Sequence, residues 1–212
     1  MPPLGSSEEA ILARVSRMAR SPRKGRLIHG IGDDCAVFRP KGSNEDLLFT
    51  SDMMIEDVHF RRATHPASAV GHKALARSLS DIAAMGGEPR FCLLSLALPP
   101  WADQRWLDQF YRGFLKLAHR TGAWLAGGDL AHAERFSCDV TVCGGVPKGK
   151  ALLRAGAKPR DDIFVSGGLG HSAYGLSKGR GKAWQSHLRP TPQLALGKFV
   201  REKLGATAAM DL

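Results

Sequence analysis

Apolar residues recur at helical spacing in three stretches of the chain. The first stretch opens with a capping-box pair, Ser6 and Glu9, ahead of its apolar residues. The second spans 66–85 and the third spans 103–121, and glycines follow both, as is typical of helix ends. The pattern predicts three amphipathic helices. Their apolar positions are Ile11, Leu12, Val15 and Met18; Val70, Ala74, Leu75, Leu79 and Ile82; and Trp106, Leu107, Phe110, Phe114, Leu117 and Ala118.

Shorter apolar runs between these stretches predict β-strands. Two of them, 35–38 and 47–50, flank a turn-forming segment and favour a hairpin that brings Asp34 and Asp52 near one sheet edge. The run 91–98 is almost wholly apolar, which predicts a buried strand. Further strands are predicted at 123–126, 137–144 and 163–166, and further helices at 172–176 and 193–204.

The alternation of strands with helices predicts an α/β to α+β fold. Turn-forming residues are concentrated between 147 and 162, which is typical of a domain boundary. We therefore expect an N-terminal domain over 1–149 and the beginning of a second α+β domain over 150–212. The last residues, 206–212, read as the start of an element that is cut short.

Composition limits the classes of protein to which the chain can belong. Of its 212 residues, 43% are hydrophobic, which is enough for a real core. No apolar run approaches the roughly 20 residues that span a bilayer, and no signal peptide is evident, so a cytoplasmic protein without membrane partners is expected. The four cysteines form no C-x-x-C pair and are expected to be reduced core thiols.

The charge of the chain favours anionic partners. Its net charge is +10, but the basic residues are dispersed and no nucleic-acid motif accompanies them, so nucleic acid ranks below phosphorylated small molecules. The glycine-rich segment 167–170 lacks the remainder of a dinucleotide or P-loop fingerprint, and a structural turn is the better interpretation.

Four aspartates carry the candidate chemistry. Asp34, Asp52, Asp81 and Asp129 each end a short segment that contains Gly or Ser. Carboxylates of this kind suit magnesium, which binds hard oxygen ligands and shares its remaining positions with waters and phosphates. Taken singly, each aspartate could instead cap a turn or end a strand. His59 follows Asp52 closely enough to contact the same ligand, although a half-buried strand histidine is the alternative.

Seven segments together resemble bacterial thiamine-monophosphate kinase, a family of the aminoimidazole-ribonucleotide-synthetase-like superfamily. The resemblance extends from about residue 28 to the last residue and implies an N-terminal domain with a mixed sheet and packed helices. The segments are Gly-Ile-Gly-Asp-Asp-Cys-Ala at 30–36, Thr-Ser-Asp at 50–52, Val-His-Phe at 58–60, Lys-Ala-Leu-Ala at 73–76, Leu-Ser-Asp-Ile-Ala-Ala-Met-Gly at 79–86, Gly-Gly-Asp at 127–129 and His-Leu-Arg-Pro-Thr-Pro at 187–192.

The resemblance implies that ATP donates its γ-phosphoryl group directly to the phosphate of thiamine monophosphate, giving thiamine diphosphate. It also implies several Mg²⁺ ions around the ATP phosphates and a homodimer that pairs through its sheets. No residue is implied as nucleophile, acid or base. The implied metal shell is Asp34, Thr50, Ser51, Asp52, Asp81, Asp129 and Asp211; the implied nucleotide contacts are Tyr111, Gly128, Asp129 and Arg154; and the implied substrate contact is His59.

The chain departs from the family pattern at three places. The family continues Asp211-Leu212 with Ser-Asp-Gly, which is absent from these 212 residues, so we expect little or no turnover from this chain alone. Residues 130–133 replace a Thr-Thr-Arg-Gly segment, and His171 replaces an aspartate.

Two other functions are compatible with these residues. One is another ATP-using enzyme of the same superfamily with a different acceptor, such as aminoimidazole ribonucleotide synthetase, selenophosphate synthetase or a hydrogenase-maturation relative. The other is a non-catalytic module for dimerisation or anion binding. Comparison of ATP consumption across acceptors separates them.

Overall fold

Six strands form one mixed sheet, and two long helices pack on one of its faces. The computed structural model describes residues 7–19 and 25–212 and gives the strand order β1-β2-β3-β6-β4-β5. The β4–β5 pair is parallel and the other neighbouring pairs are antiparallel. This arrangement confirms the predicted α/β to α+β class and the predicted β2–β3 hairpin. The strands are β1 Leu27–His29, β2 Ala36–Phe38, β3 Glu45–Ile55, β4 Glu88–Leu98, β5 Trp124–His132 and β6 Ser137–Pro147.

Helices α2, Ala67–Ala84, and α3, Gln104–Thr121, cross in direct backbone contact. A Cβ atom at Gly113 would lie 1.8 Å from the Ser68 carbonyl oxygen, so only glycine permits this crossing. The Asp103 carboxylate caps α3 by accepting a hydrogen bond from a backbone N–H of its first turn at 2.8 Å. Both helices lie where the apolar spacing predicted them.

The two faces of the sheet differ in burial. The face toward α2 and α3 is packed, and it contains fully buried residues such as Leu48. On the other face Phe91 and Leu93 are 38% and 39% exposed. The run 91–98 was predicted to be a buried strand, and the strand is present. Only its alternate residues are buried, because no second layer of the described chain covers the others. Other exposed apolar residues on this face include Met53 and Trp124.

Helix α1, Glu8–Met18, begins at an N-cap. The Ser7 hydroxyl oxygen accepts a hydrogen bond from the Ala10 N–H at 3.3 Å. The capping box predicted with Ser6 lies outside the described residues. The apolar side chains of α1 are exposed, so the predicted helix is present but its apolar stripe is not buried by the described chain.

Three short helices follow the sheet: α4, His171–Lys178; α5, Gly181–Leu188; and α6, Leu194–Phe199, which continues into a π-helical turn. Helix α6 packs so closely on α2 that a Cβ atom at Gly197 would lie 2.0 Å from the Ala83 carbonyl oxygen. The predicted strand at 163–166 was wrong, since the segment pairs with no strand and Ile163 is 92% exposed. The division at 149/150 stays a prediction.

All four cysteines are buried and unpaired, as predicted. Within the described residues, no helix has the length and apolar character needed to cross a membrane.

Candidate active site

Four of the predicted metal ligands lie together where the sheet, α2 and the last residues of the chain meet. Asp34 lies between β1 and β2, Asp52 on β3, Asp81 in the last turn of α2, and Asp211 next to the final residue. The Asp34 carboxylate accepts a hydrogen bond from the Asp211 N–H at 3.1 Å. Residues separated by 177 positions in sequence are thus brought into contact. We call Asp34, Asp52, Asp81 and Asp211 the acid cluster.

Hydroxyl groups orient two of these carboxylates. The Thr50 hydroxyl donates to Asp81 Oδ2 at 2.5 Å, and the Ser80 hydroxyl donates to Asp211 Oδ1 at 2.5 Å. Thr50 and Ser80 lie on neighbouring elements, β3 and α2, so both carboxylates are positioned by the packing of that helix on the sheet. The remaining carboxylate oxygens are free to accept other partners.

Burial and mutual repulsion disfavour the ionised state of the acid cluster. Burial raises the pKa of Asp81 to about 7, and the charges of Asp52, Asp211 and Asp34 raise it further, whereas the Thr50 hydroxyl opposes the shift. Burial also raises the pKa of Asp52, an effect that Arg77 opposes. A group of partly buried carboxylates that repel each other is suited to binding a cation.

The donor set fits magnesium held jointly by protein and phosphate. Four carboxylates and a hydroxyl offer the hard oxygen ligands that Mg²⁺ prefers. Within the described residues, no three His, Cys, Asp or Glu side chains already surround one point closely enough to hold an ion. Such an open arrangement is typical of magnesium sites that use one or two carboxylates and take further ligands from water and substrate.

Two arginines border the acid cluster. Arg154 forms an ion pair with Asp34, and its backbone N–H donates to Asp33 Oδ2 at 3.0 Å. Arg77 Nη2 lies 3.3 Å from Asp52 Oδ1, and Nη1 of the same side chain donates to a carbonyl of β3 at 3.0 Å. Each arginine therefore neutralises one carboxylate at the edge, and Asp81 has no such partner among the described residues.

Ser51 lies on the opposite face of β3 from its neighbours in the predicted Thr-Ser-Asp metal segment. Its hydroxyl donates to Asp139 Oδ1 at 2.7 Å and lies 3.1 Å from Thr141 Oγ1. The side chains of Thr50 and Asp52 point toward α2, because successive side chains of a strand alternate between faces. The structure brings Thr50 and Asp52 together and separates them from the Ser51 hydroxyl.

Asp129 and Gly128 lie inside β5, which extends beyond the strand predicted at 123–126. Gly128 has a φ of 155°, and a Cβ atom there would lie 1.8 Å from the Leu94 carbonyl oxygen, so the close approach of β5 to β4 requires glycine. Strands β6 and β4 separate β5 from β3. At about 4.8 Å between neighbouring strands, the distance from Asp52 to Asp129 across the sheet of one chain is about 14 Å.

Tyr111, the predicted nucleotide contact, lies on α3, a helix that contributes no residue to the acid cluster. It is half-buried beside Phe110, with ring centroids 5.7 Å apart, and burial raises the pKa of its hydroxyl. The roles predicted for Tyr111, Gly128 and Asp129 remain predictions.

The sequence matches a described family over the region that forms the sheet. Residues 32–146, more than half of the 212-residue chain, match the family described as AIR synthase related protein, N-terminal domain. The chain belongs to the AIR synthase related protein family. This match and the mixed six-stranded sheet confirm the family and the fold that the motifs predicted.

Among AIR synthase related proteins, the chain is similar to thiamine-monophosphate kinases. It is 38% identical to that of Bacillus subtilis over 183 residues, covering 80% of this chain and 56% of the relative. It is 35% identical to that of Escherichia coli K12 over 220 residues, covering 99% and 66%. The chain thus spans between about half and two thirds of the length of these relatives.

A solved structure gives the same result. The structure described as "AaThiL complexed with AMPPCP and TMP" superposes with a TM-score of 0.85 at 30% identity, covering 97% of this chain and 65% of the other. Asp34, Asp52 and Asp81 lie within the AIR synthase related domain, whereas Arg154 and Asp211 lie beyond the matched residues.

In this AIR synthase related domain, His59 lies in the turn that follows β3, and not in a strand. Its Nδ1 accepts a hydrogen bond from the Ile55 N–H at 3.0 Å, and its carbonyl oxygen accepts one from Lys73 Nζ at 3.4 Å. Burial, together with Arg77 and Lys73, lowers the pKa of His59. The imidazole is therefore neutral, and its Nε2–H is available as a donor to a ligand.

Behind His59, the domain connects to α4 and α5 through a histidine contact that sequence reasoning missed. His65 Nδ1 accepts the Arg61 N–H at 3.2 Å, so its proton is on Nε2 and is donated to His187 Nε2 at 3.3 Å. Lys73 Nζ donates to the same His187 nitrogen at 3.3 Å. His187 therefore carries its proton on Nδ1, which donates to the Ser172 hydroxyl at 2.8 Å.

Protonation of His187 is disfavoured by this geometry. Burial, Lys73 and His65 lower the pKa of His187 to about 4. Burial and Arg77 lower the pKa of Lys73 to about 8. A charged His187 would turn its only acceptor nitrogen into a donor that faces two other donors. The contact requires a neutral imidazole.

Sequence reasoning also missed Arg77 and Ser80 as parts of the site. Both lie on α2 within one turn of Asp81, and Lys73 precedes Arg77 by four residues. Lys73, Arg77 and Asp81 are spaced by four residues, which places their side chains along one face of α2. This spacing is the sequence signal that could have pointed to Arg77.

Proposed function

We propose that the chain binds ATP and magnesium at the acid cluster and phosphorylates thiamine monophosphate to thiamine diphosphate. The observation that carries this proposal is that Asp34, Asp52, Asp81 and Asp211 are neighbours in one region of the fold. Asp81 and Asp211 have no ion-pair partner among the described residues, and bound magnesium would balance their charge against that of a triphosphate. The similarity to thiamine-monophosphate kinases supports this choice of nucleotide and acceptor.

Asp34, Asp52, Asp81 and Asp211, with the Thr50 hydroxyl, would hold the magnesium ions. Bound there, magnesium supplies positive charge that offsets the charge of the triphosphate. The hydroxyls of Thr50 and Ser80 fix two of these carboxylates, which would orient the reactants. Burial raises the pKa of Asp52, and Arg77 opposes that effect.

The phosphoryl transfer needs no nucleophile from the protein. An oxygen of the acceptor phosphate is already anionic, and it attacks the γ-phosphorus of ATP in line with the bond to the β–γ bridging oxygen. That bond breaks, its electron pair stays with the leaving ADP, and the product carries a new phosphoric anhydride. His59 would donate its Nε2–H to the acceptor, and Arg154 would exchange its ion pair with Asp34 for the nucleotide phosphates.

The exposed sheet face supports a homodimer. Met53, Phe91, Leu93 and Trp124 expose apolar surface on the face that the helices leave uncovered. Such a patch is typical of a protein interface. Because Asp129 is remote from Asp52 within one chain, its predicted metal role would be fulfilled through Asp129 of the partner subunit.

Calorimetry tests the nucleotide site. We expect AMPPCP to bind in the presence of Mg²⁺ and thiamine monophosphate to bind to that complex more tightly than thiamine, which lacks the phosphate. Asp52→Asn should abolish the magnesium-dependent binding, whereas Asp108→Asn, an exposed acid on α3, should not. Tighter binding of another phosphorylated acceptor would move the proposal to a different enzyme of the superfamily.

Sedimentation velocity tests the dimer. Leu93→Glu should convert dimers to monomers. The control is Ile163→Glu, which changes an exposed apolar residue outside the sheet and should leave the dimer intact. A wild-type chain that is monomeric at high concentration would exclude pairing through the sheet.

A further inference from the structure

A cavity of about 330 Å³ between α2, α3 and the segment after α5 is lined by four cationic side chains. Three of them, Arg112, Lys116 and Arg120, are spaced by four residues along α3, and Arg189 comes from the segment after α5. The remaining lining residues are Ser68, His72, Gly113 and Leu117, so the lining contains no carboxylate. We call this cavity the basic cavity.

The charges of the basic cavity are uncompensated. Within the described residues, none of its four cations lies within 4.0 Å of a carboxylate, whereas Arg39, Arg77, Arg90 and Arg154 elsewhere in the chain each have such a partner. Like charges four residues apart on a helix destabilise it. The stripe on α3 therefore costs folding free energy that an anion would recover.

A favourable interaction with the helix dipole accounts for the position of only one of these cations. Arg120 lies in the last turn of α3, where a cation stabilises the helix dipole. Arg112 and Lys116 lie in earlier turns, beyond the reach of that effect, and Arg189 belongs to another segment.

Two hydrogen bonds connect lining residues of the basic cavity on α2 to the segment after α5. One guanidinium nitrogen of Arg189 donates to the Ser68 hydroxyl at 3.0 Å, which fixes the side chain at the cavity wall. His72 Nε2–H donates to the Pro190 carbonyl oxygen at 2.8 Å. Burial lowers the pKa of His72, and the charges of Arg120, Arg189 and Lys116 lower it further, so the positive potential extends to the cavity floor.

We infer that the basic cavity binds a small molecule that carries a diphosphate or triphosphate group. Arginine offers a planar pair of donors that matches phosphate oxygens, and three of the four cations are arginines. Adjacent cations on α3 are about 6 Å apart along the helix axis, so a chain of phosphates meets more of them than one phosphate does. A cavity of this volume suits a small ligand better than a nucleic-acid backbone.

This site is separate from the acid cluster. Ser68 and His72 lie on the face of α2 toward α3, whereas Arg77, Ser80 and Asp81 lie toward the sheet and the end of the chain. The inference therefore does not depend on the kinase proposal and holds or fails independently of it.

Titration of the full chain with inorganic pyrophosphate in EDTA tests the inference, because chelation removes the magnesium that the acid cluster would need. We expect one pyrophosphate per chain, bound more tightly than inorganic phosphate. Lys116→Gln and Arg120→Gln should each weaken binding by about fivefold. Arg105→Gln removes an exposed charge from α3 outside the cavity and should leave binding unchanged. Circular dichroism confirms that each variant is folded.

Three results would overturn the inference. The first is absence of saturable pyrophosphate binding. The second is an equal loss of affinity in Arg105→Gln, which would show that net charge alone attracts the anion. The third is displacement of pyrophosphate by a single-stranded oligonucleotide at lower concentration than by ATP, which would identify a nucleic-acid surface.

Discussion

The acid cluster and the basic cavity lie on different faces of α2 and differ in how their charges are held. In the acid cluster, hydroxyls, arginines and a backbone N–H engage carboxylates that burial has partly removed from water. In the basic cavity, the four cations are exposed and have no carboxylate partners in the described chain. The first region is organised before a ligand arrives, whereas the second depends on long side chains that a ligand must order.

The largest effect is expected from a change inside the acid cluster. Asp81→Asn keeps the acceptor for the Thr50 hydroxyl but removes the charge at the centre of the cluster. Magnesium-dependent binding of AMPPCP should weaken on the order of 100-fold, as measured by calorimetry. Pyrophosphate binding in EDTA should be unchanged, and a parallel loss in both titrations would contradict the separation of the two sites.

Lowering the pH should weaken the His187 contact that joins α5 to α2, whereas the arginines and the lysine of the basic cavity stay charged. The unfolded chain protonates His187 near pH 6.5 and the folded chain only near pH 4. This contact therefore stabilises the fold fully above pH 6.5, and its contribution is lost as the pH falls toward 4. We expect a loss on the order of 2 kcal/mol in the free energy of unfolding, measured with urea.

His187→Gln should reduce that pH dependence, because the titrating group is absent. His132→Gln, which changes an exposed histidine of β5, is the matched control and should retain the wild-type slope. Identical slopes in wild type and His187→Gln would show that other groups cause the loss.

Added salt should weaken anion binding at the basic cavity more than nucleotide binding at the acid cluster. Exposed charges are screened more than buried ones. Between 50 and 300 mM NaCl, pyrophosphate affinity at the basic cavity should fall by about tenfold, and magnesium-dependent AMPPCP affinity by about threefold or less. Equal slopes would mean that the acid cluster is as exposed as the cavity.

The smallest effect is expected at His72, which reports the potential inside the basic cavity. Arg120→Gln removes one of the charges that lower its pKa, so the pKa should rise toward 6.5. An NMR titration of the imidazole measures the shift, and Arg105→Gln should not reproduce it. Bound pyrophosphate should move the pKa in the same direction.

The features that the sequence predicted correctly depend on local pattern. The apolar spacing of α2 and α3, the glycine that ends α3 and the β2–β3 hairpin are properties of neighbouring residues. The acid cluster was predicted only because motifs far apart resembled one family, since no local pattern relates Asp34 to Asp211.

The features that the sequence missed depend on tertiary partners. Phe91 is exposed because no second layer of the described chain covers that sheet face. Asp129 lies in a strand because β4 extends alongside it. The sequence identifies His187 only as part of a family motif, because its partners Lys73 and Ser172 become neighbours only when α4 and α5 pack against α2. The segment 163–166 has the composition of a strand but pairs with no strand of the described chain.

A crystal grown with Mn²⁺ and AMPPCP would show whether the acid cluster holds the metal and the nucleotide, because Mn²⁺ replaces Mg²⁺ and is visible by anomalous scattering. We expect anomalous peaks within coordination distance of Asp52 and Asp81, with the triphosphate between them. A well-ordered triphosphate bound among Lys116, Arg120 and Arg189, with no anomalous peak beside the acid cluster, would contradict it.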